Sequence, residues 1–511
     1  MACDAHKVAR SRNRDTTGRG PKITTRDRSA QLLVFQLDRQ FDAPINGVHP
    51  NRWTRLQITD ALQSQKIVLQ GTRAEIARPS CYNLIIPHER MVFSMNKRLV
   101  VATALLTTSC AFCDSQIMLK ASAPGNKKSM TDPAAVHQSA IVIDTHADTP
   151  QRFVDERWDF TAPLNDGMLN FDSAKKGGLD AQFFSIWVDP NQYPANSSSR
   201  RTLELIDATL EQVRKAPDKL QFCTNSDQII EARRNSKFAV LMGIEGGHSI
   251  EDSLGLLRDY HRLGVRYMTL TWSNTNNWAD SSGDIDDSKI QHHDGLTLFG
   301  KQVVQEMNRL GMMIDISHVS DKTFWDTIAT TRTPIIASHS SARALTSAPR
   351  NMTDEMLVAM KKNNGVVMVN FFPAFIDEQW RQAWNAQRPE RKRAQDAMEA
   401  DYKSKGIPVP YIASHAIDRE FAARIGRAPL DSLIDHFDHV IKIAGADHVG
   451  IGTDFDGIPV PPEGIDSAAD LPKVTAALMA RGYAAEDIKK LLGGNLLRVF
   501  RDVQAATDKT K

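Results

Sequence analysis

Short apolar runs alternate with amphipathic segments from residue 136 onward. There are eight such runs, and most of them end in polar or charged residues: AIVIDTHAD, LDAQFFSIWV, KFAVLMGIEG, VRYMTLTWS, GMMIDISH, PIIASHS, GVVMVNFF and HVGIGTDFDG. Uninterrupted apolar runs of this length are typical of strands that are buried on both faces, as in a parallel sheet. Segments with helical spacing lie between most of them. Residues 253–264 and 298–311 are examples, and each closes on a glycine, a residue that commonly ends helices.

Eight alternations of strand and helix predict an α/β fold of the (β/α)8 TIM-type barrel class. The alternative is an open, doubly wound sheet, which would more often carry a glycine-rich phosphate loop after its first strand; this sequence has none there. The connection between the seventh and eighth predicted strands is long and charged, and includes RPERKRAQDAMEADYKSKG. We interpret it as a helical insertion on the surface, since such charge runs are typical of solvated helix faces.

Charge and motif content divide the 511 residues into five segments. Residues 1–94 contain 15 Lys and Arg against 8 Asp and Glu, although the net charge of the whole chain is only +2. We expect this part to be an over-called or disordered basic extension, with translation beginning at Met91 or Met95. The alternative is a basic arm that binds nucleic acid, but we expect no nucleic-acid partner. The other segments are a signal-like stretch (95–113), a linker (114–135), a catalytic domain (136–503) and a polar tail (504–511).

The stretch MNKRLVVATALLTTSCAFC, residues 95–113, has the layout of a bacterial export signal. Two basic residues precede an apolar run that is too short to span a bilayer, and small residues and a cysteine follow it. LTTSC loosely resembles a lipoprotein cleavage box in which Cys110 would carry the lipid. We therefore expect an exported protein, periplasmic or membrane-associated as a lipoprotein, with no transmembrane helix in the mature chain. The five cysteines show neither a pairing pattern nor metal-site spacing.

Imidazoles and carboxylates follow several of the predicted strands directly. They are His146 and Asp148 after the first strand, Glu245 after the third, His318 after the fifth, His339 after the sixth and Asp454 after the eighth. In a barrel these strand ends meet on one face, and residues i and i+2 of an extended chain point to the same side. Each residue alone has an ordinary structural explanation, such as a helix cap or a turn. Their convergence on one face predicts a metal site.

The predicted ligands carry nitrogen and oxygen donors without cysteine, a set that suits Zn²⁺ and also Mn²⁺ or Co²⁺. Five ligand candidates are too many for one catalytic zinc that must keep an open position. Two ions that share a bridging carboxylate fit better, because such a pair lowers the pKa of a bridging water and polarises a carbonyl group. The sequence therefore predicts metal-assisted hydrolysis, most simply of an amide or ester.

The stretch GIEGGHSIEDSLGLLRDYHRLGVRYMTLT, residues 243–271, closely resembles the signature region of the membrane (renal) dipeptidase family. IDTHAD, IDISHVS, PIIASHSSARAL, PRNM and GTDFDG follow the family's order and spacing, and the resemblance covers residues 136–503. It implies a binuclear zinc metallopeptidase on a (β/α)8 barrel, with two Zn²⁺ per chain, that hydrolyses free dipeptides, including L,D-dipeptides. Members of this family are commonly homodimers.

The resemblance also implies a role for each matching residue. His146, Asp148 and Glu245 would hold one zinc, while Glu245 would bridge to a second zinc that His318 and His339 complete. Arg350, in APRNM, would grip the free carboxylate of the dipeptide, for which the planar guanidinium is suited. Asp454 would lie near the bridging water and the substrate's amino group, where it is our candidate for proton transfer.

One position departs from the family pattern. The family typically has His after TLT at the end of the fourth strand, where it contacts the substrate near the scissile carbonyl. Here the residue is Trp272, whose indole donates one hydrogen bond but neither takes a proton nor binds metal. Packing in the cavity wall and direct contact with the substrate both remain open as its role.

Two alternatives to a zinc dipeptidase stay open from the sequence. The first is a related binuclear barrel hydrolase that acts on N-acyl amino acids or β-lactam-like amides. Many such enzymes use His-x-His on the first strand and a carboxylated Lys on the fourth, and this chain has His-x-Asp and no such Lys. The second is an exported binding protein without activity, which would predict damage to the ligand set. All five ligand candidates are present.

Overall fold

The computed structural model describes residues 132–194 and 196–507. The predicted extension (1–94), the signal-like segment (95–113) with Cys110, and most of the predicted linker lie outside the described residues, as do residues 508–511. Among the described helices, no stretch has both the length and the apolar character needed to cross a bilayer.

Eight parallel strands close into the predicted barrel. They are β1 (Ile143–Ala147), β2 (Ala181–Trp187), β4 (Phe238–Glu245), β5 (Val265–Thr269), β6 (Met313–Asp315), β7 (Ile336–Ser340), β8 (Val366–Asn370) and β9 (Val449–Gly452). Neighbours pair in parallel around the ring, and β2 with β4 and β1 with β9 complete the circle. A further short strand, β3 (Leu220–Phe222), pairs with the outer start of β4 and was not predicted. The predicted (β/α)8 fold is confirmed.

Helices surround the barrel and form its outer layer. They are α1 (Pro133–Ser139), α2 (Pro150–Asp155), α3 (Phe171–Lys176), α4 (Ser198–Lys215), α5 (Ser226–Arg234), α6 (Leu254–Arg262), α7 (Leu298–Leu310), α8 (Asp321–Thr330), α9 (Asp354–Lys362), α10 (Pro373–Ile376), α11 (Glu378–Ala386), α12 (Arg388–Ser404), α13 (Tyr411–Ala423), α14 (Leu430–Ala444), α15 (Leu471–Ala480), α16 (Ala485–Lys489) and α17 (Asn495–Ala505). Ser and Thr side chains cap several of these helices; Ser320, for example, accepts from the Thr323 amide at the start of α8.

Alternate residues of each strand divide the core into two layers. On β2, Phe183 points into the barrel and packs with Tyr267, whereas Phe184 faces the surrounding helices. At the start of the strands, α17 packs against the interior through Phe500, whose ring lies 6.0 Å from that of Phe183. The opposite end, where the strands finish, is left for side chains of the site.

The connection between β8 and β9 is helical, as the charge pattern predicts. Its helix α12 has no buried residue. The neighbouring helices build a separate apolar cluster from Trp380, Trp384 and Phe421, which packs on Phe372 after β8 and Val460 after β9. The insertion is therefore anchored at the carboxyl end of the barrel.

Candidate metal centre and substrate cavity

The side chains predicted as metal ligands converge at the carboxyl ends of the strands. Three groups have donor atoms within 4.8 Å of one another: His146 with Asp148 and Glu245, Glu245 with His318 and His339, and His146 with His339 and Asp454. The five predicted ligands are all buried. Buried ionisable groups at this density are costly unless they are paired or bind a cation.

The carboxylate of Glu245 lies between two sets of donors. Its Oε2 atom is 3.2 Å from His146 Nε2, while its Oε1 atom is 2.8 Å from His318 Nε2 and 3.5 Å from His339 Nε2. Asp148 Oδ2 lies on the first side, 3.7 Å from His146 Nε2. Each oxygen of one carboxylate thus faces its own pair of donors, which is the arrangement that a bridging ligand requires.

The His146 ring is oriented by a tyrosine from inside the barrel. Tyr267 OH donates to the carbonyl of Thr145 at 3.0 Å and therefore accepts from His146 Nδ1 at 2.9 Å. This leaves the lone pair of Nε2 directed at the cluster. Gly243 makes the arrangement possible, because a Cβ there would lie 2.0 Å from the Tyr267 ring. Such outer hydrogen bonds fix the tautomer of histidines that bind metal.

His339 is held in the same way from the other side. Ser338 Oγ donates to Asp315 Oδ2 at 2.6 Å and accepts from His339 Nδ1 at 2.8 Å. His339 Nε2 therefore presents a lone pair to the cluster, 3.0 Å from His318 Nε2. At this distance one ring N–H can donate to the other nitrogen, or both lone pairs can face a shared metal ion.

Burial and mutual charge set the protonation of the cluster. Burial, together with the charge of Glu245, raises the pKa of Asp148 well above its usual range. Burial would raise the pKa of Glu245 too, but the neighbouring His146 and hydrogen bonds from the imidazoles hold it well below the usual range. Burial lowers the pKa of His318 to about 4 and that of His339 well below its usual range. His146 differs, because burial would lower its pKa but the charges of Glu245 and Asp148 raise it to about 10. The cluster therefore favours a cation beside His146. A metal ion would take the place of its proton, since the neutral imidazole and the ionised carboxylate are the forms that bind metals.

Two site residues that follow their strands have an unusual backbone conformation, which changes the direction of their side chains. His318 has φ 70° and Asp454 has φ 62°, both in the left-handed region that non-glycine residues rarely adopt. Gly457 lies so close to the carboxylates that a Cβ would meet Asp148 Oδ2 at 2.0 Å and Asp454 Oδ1 at 2.5 Å. Glycine at this position therefore lets the backbone approach the cluster.

The donor set fits a metal. Within the part of the chain that the structure describes, the buried atoms His146 Nε2 and Asp148 Oδ1 have no hydrogen-bond partner. Orphaned buried polar atoms are rare in native proteins and need an explanation such as an ion. Imidazole nitrogen and carboxylate oxygen without sulfur suit Zn²⁺, Mn²⁺ or Co²⁺.

A cavity of about 670 Å³ opens above the cluster, and Arg350, Asp454 and Trp272 all line it. Arg350 donates to the His339 carbonyl at 3.2 Å, and its guanidinium lies 5.2 Å from the ring centre of Phe375. Burial lowers its pKa to about 10, so it stays charged at neutral pH.

Three residues of this cavity were missed in the sequence. Trp187 is the last residue of β2 and lies on the same face of the barrel as the predicted ligands. Its position at the end of an apolar run could have identified it as a cavity residue. Tyr411 and His415 come from α13 of the insertion. The sequence carries no signal that helix α13, far from any strand end, reaches the site.

Fold and site together define a barrel metallohydrolase. A family model of the membrane dipeptidases, peptidase family M19, matches residues 130–511. An uncharacterised dipeptidase of Schizosaccharomyces pombe is 34% identical over 383 residues, which are 71% of this chain and 81% of that protein. Dipeptidase 3 of Mus musculus is 33% identical over 349 residues, 67% of this chain and 59% of the mouse protein.

A solved structure agrees with this assignment. The probable dipeptidase PvdM from Pseudomonas aeruginosa is 26% identical with a TM-score of 0.61, over 74% of this chain and 99% of that chain. The chain belongs to the membrane dipeptidase family, and it is a dipeptidase of the metallopeptidase class. The resemblance seen in the sequence is confirmed.

Proposed function

We propose that this protein is a zinc dipeptidase with two metal ions per chain, which hydrolyses the peptide bond of free dipeptides, L,D-dipeptides among them. The position of Glu245 supports the proposal most directly, because its two oxygens face His146 and His318 separately. His146, Asp148 and Glu245 would hold one ion, and Glu245, His318 and His339 would hold the other. When bound, the zinc pair supplies an activated water and polarises the scissile carbonyl.

Two charged residues define the orientation of the substrate. Arg350, next to His339, offers a guanidinium for the terminal carboxylate. Asp454 offers negative charge for the terminal ammonium on the other side. Arg350 and Asp454 line the same cavity, so a short peptide with both ends free would pair with both charges. N-acyl amino acids have no ammonium group for Asp454 and should bind less well.

Asp454 is also our candidate for moving the proton during hydrolysis. Asn370 Nδ2 donates to Asp454 Oδ2 at 3.0 Å and so fixes the carboxylate. Burial raises the pKa of Asp454, which favours a group that takes a proton and returns it. Its Oδ1 atom would receive the proton of the attacking water and deliver it to the departing amine.

A substrate panel tests the proposal. The zinc-loaded protein is assayed with L-Ala-L-Ala, L-Ala-D-Ala, N-acetyl-L-Ala and a β-lactam, with and without chelator. We expect hydrolysis of the free dipeptides, its loss on chelation and its return with zinc. We expect N-acetyl-L-Ala to react at least about 100-fold more slowly, the effect of an unpaired buried charge. Faster hydrolysis of the N-acyl substrate or the β-lactam would favour the alternative barrel hydrolase.

A further inference from the structure

Four rings form a continuous row along one wall of the cavity. From the metal centre outward, Trp272 lies 6.3 Å from the ring of His318, and its ring centre is 4.8 Å from that of Trp187. Trp187 is 5.9 Å from Tyr411, which is 4.4 Å from His415. We call Trp272, Trp187, Tyr411 and His415 the aromatic row. The spacings between Trp272, Trp187 and Tyr411 lie in the range at which rings attract one another, and Tyr411 and His415 are slightly closer.

The aromatic row passes the side of the site that would hold the amino end of a dipeptide. The imidazole of His415 hydrogen-bonds the backbone of Gly457, whose Cα is wedged against the carboxylates of Asp148 and Asp454. Tyr411 OH donates to the neighbouring carbonyl of Asp456 at 2.9 Å. Arg350, at the carboxylate end, contacts Phe375 instead. The side chain of the amino-terminal residue would therefore face the aromatic row.

The aromatic row presents rings without charge. Tyr411 OH is already engaged with Asp456, and burial lowers the pKa of His415 to about 3, which keeps that ring neutral. Trp187 Nε1 is buried and has no hydrogen-bond partner among the described residues. Apart from this single N–H, a charged side chain placed here would lose water without gaining a partner from the rings, whereas an apolar ring would gain contact area.

There is also space beside the aromatic row. Trp187 and Tyr411 line a second cavity of about 680 Å³ as well as the first. These two rings therefore border both cavities, and the space beside them is large enough for an aromatic side chain. Trp272 adds to the same wall, because its ring lies 4.8 Å from that of Trp187 and it lines the first cavity.

We propose that the aromatic row makes this enzyme selective for dipeptides whose amino-terminal residue has an aromatic side chain. The inference rests on the proposed dipeptidase function and names its substrate class. The carboxyl-terminal residue would lie toward Arg350 and Phe375 rather than toward the row, and should contribute less to selectivity.

The wild-type full chain, loaded with zinc, provides the first test. Values of kcat/KM are measured for Phe-Ala, cyclohexylalanyl-Ala, Ala-Ala, Asp-Ala and Ala-Phe. We expect Phe-Ala to exceed Ala-Ala by about tenfold or more, which corresponds to ~1.4 kcal/mol, and to exceed Ala-Phe. Cyclohexylalanyl-Ala should fall between Phe-Ala and Ala-Ala, because it fills the space without a π-system. Asp-Ala should be the poorest substrate.

Variants then test which residues of the aromatic row cause the preference for Phe-Ala over Ala-Ala. Trp187→Leu and Trp272→Leu should each lower the Phe-Ala to Ala-Ala ratio by about fivefold, the effect of one aromatic pair, chiefly through KM. Trp187→Phe and Trp272→Phe should retain most of the ratio. Trp325→Leu is the matched control, because Trp325 is 41% exposed on the outer helix α8, and it should leave the ratio unchanged.

The outcomes separate the two proposals. Equal kcat/KM for Phe-Ala and Ala-Ala in the wild-type protein overturns the aromatic selectivity and leaves the dipeptidase in place. A preference that persists in both Leu variants also overturns it, since another surface would then select the ring. Absence of hydrolysis of every free dipeptide by the zinc-loaded protein would instead overturn the proposed function.

Discussion

At the scale of single residues, the Tyr267 hydroxyl links the barrel interior to the metal centre. It accepts from His146 Nδ1 and donates to the carbonyl of Thr145, so that His146 Nε2 faces the cluster. The sequence predicted His146 but not Tyr267, since a tyrosine within VRYMTLTW is an ordinary strand residue until the fold brings it beside the first strand. Ligands at strand ends can be predicted from a pattern; the partners that orient them depend on side-chain packing.

Tyr267→Phe tests this link. The ring of Phe fills the same space, but His146 Nδ1 loses the hydroxyl that accepts its hydrogen bond. The tautomer of the His146 imidazole is then no longer fixed. We expect zinc affinity to fall by about 10-fold to 100-fold, the usual effect of removing an outer partner of a ligand. Competition with a chromogenic chelator measures the change.

Tyr260→Phe is the control for that measurement. Tyr260, on helix α6, is also fully buried. Its hydroxyl donates to the carbonyl of Ser249 at 3.0 Å and not to a residue of the cluster. Equal losses of affinity in the two variants would show that Tyr267 acts only through general stability.

At the scale of elements, helix α14 fixes the loop that follows β7 and carries Arg350. Its buried His436 accepts from the Ala342 amide through Nδ1 at 3.0 Å, and its Nε2 lies 3.3 Å from Thr346 Oγ1. The ring must be neutral at Nδ1 to accept this bond. Burial lowers the pKa of His436 to about 4.

This histidine predicts a pH dependence of stability. Between pH 6.5 and about 4 the unfolded chain binds a proton at His436 that the folded chain does not, so the free energy of unfolding falls as pH falls through this window. From pH 7.5 to pH 5 the loss expected from His436 alone is about 2 kcal/mol. In His436→Asn, Oδ1 can accept the same amide bond without titrating, so the variant should lose less over this range. Urea unfolding of both proteins at the two pH values measures the difference, and equal losses would contradict the assignment.

The barrel strands were predictable because each is an apolar run that ends in polar residues. β3 was missed because it has three residues, LQF, and only one of them is fully buried. The insertion was correctly predicted as helical, but its contribution to the cavity was not. That contribution arises because Trp380, Trp384 and Phe421 pack on the segments after β8 and β9, and such long-range packing has no local signature.

At the scale of the whole molecule, the apolar interior and the candidate metal centre occupy opposite ends of the barrel. Phe500 of α17 and the interior side chains support the start of the strands, while charged groups gather where the strands finish. The boundaries of the five predicted segments (1–94, 95–113, 114–135, 136–503 and 504–511) stay predictions from sequence. The same holds for export, lipidation of Cys110 and a homodimer.

The central claim is that one carboxylate joins two zinc ions in a dipeptidase. Metal-free protein is titrated with zinc while bound metal and hydrolysis of L-Ala-L-Ala are measured together. Activity should rise to its maximum at two equivalents per chain, and Glu245→Gln, which removes the charge between the two donor pairs, should bind fewer than two tightly and lose activity. Maximal activity at one equivalent, or two tightly bound zinc ions without any dipeptide hydrolysis, would contradict the account.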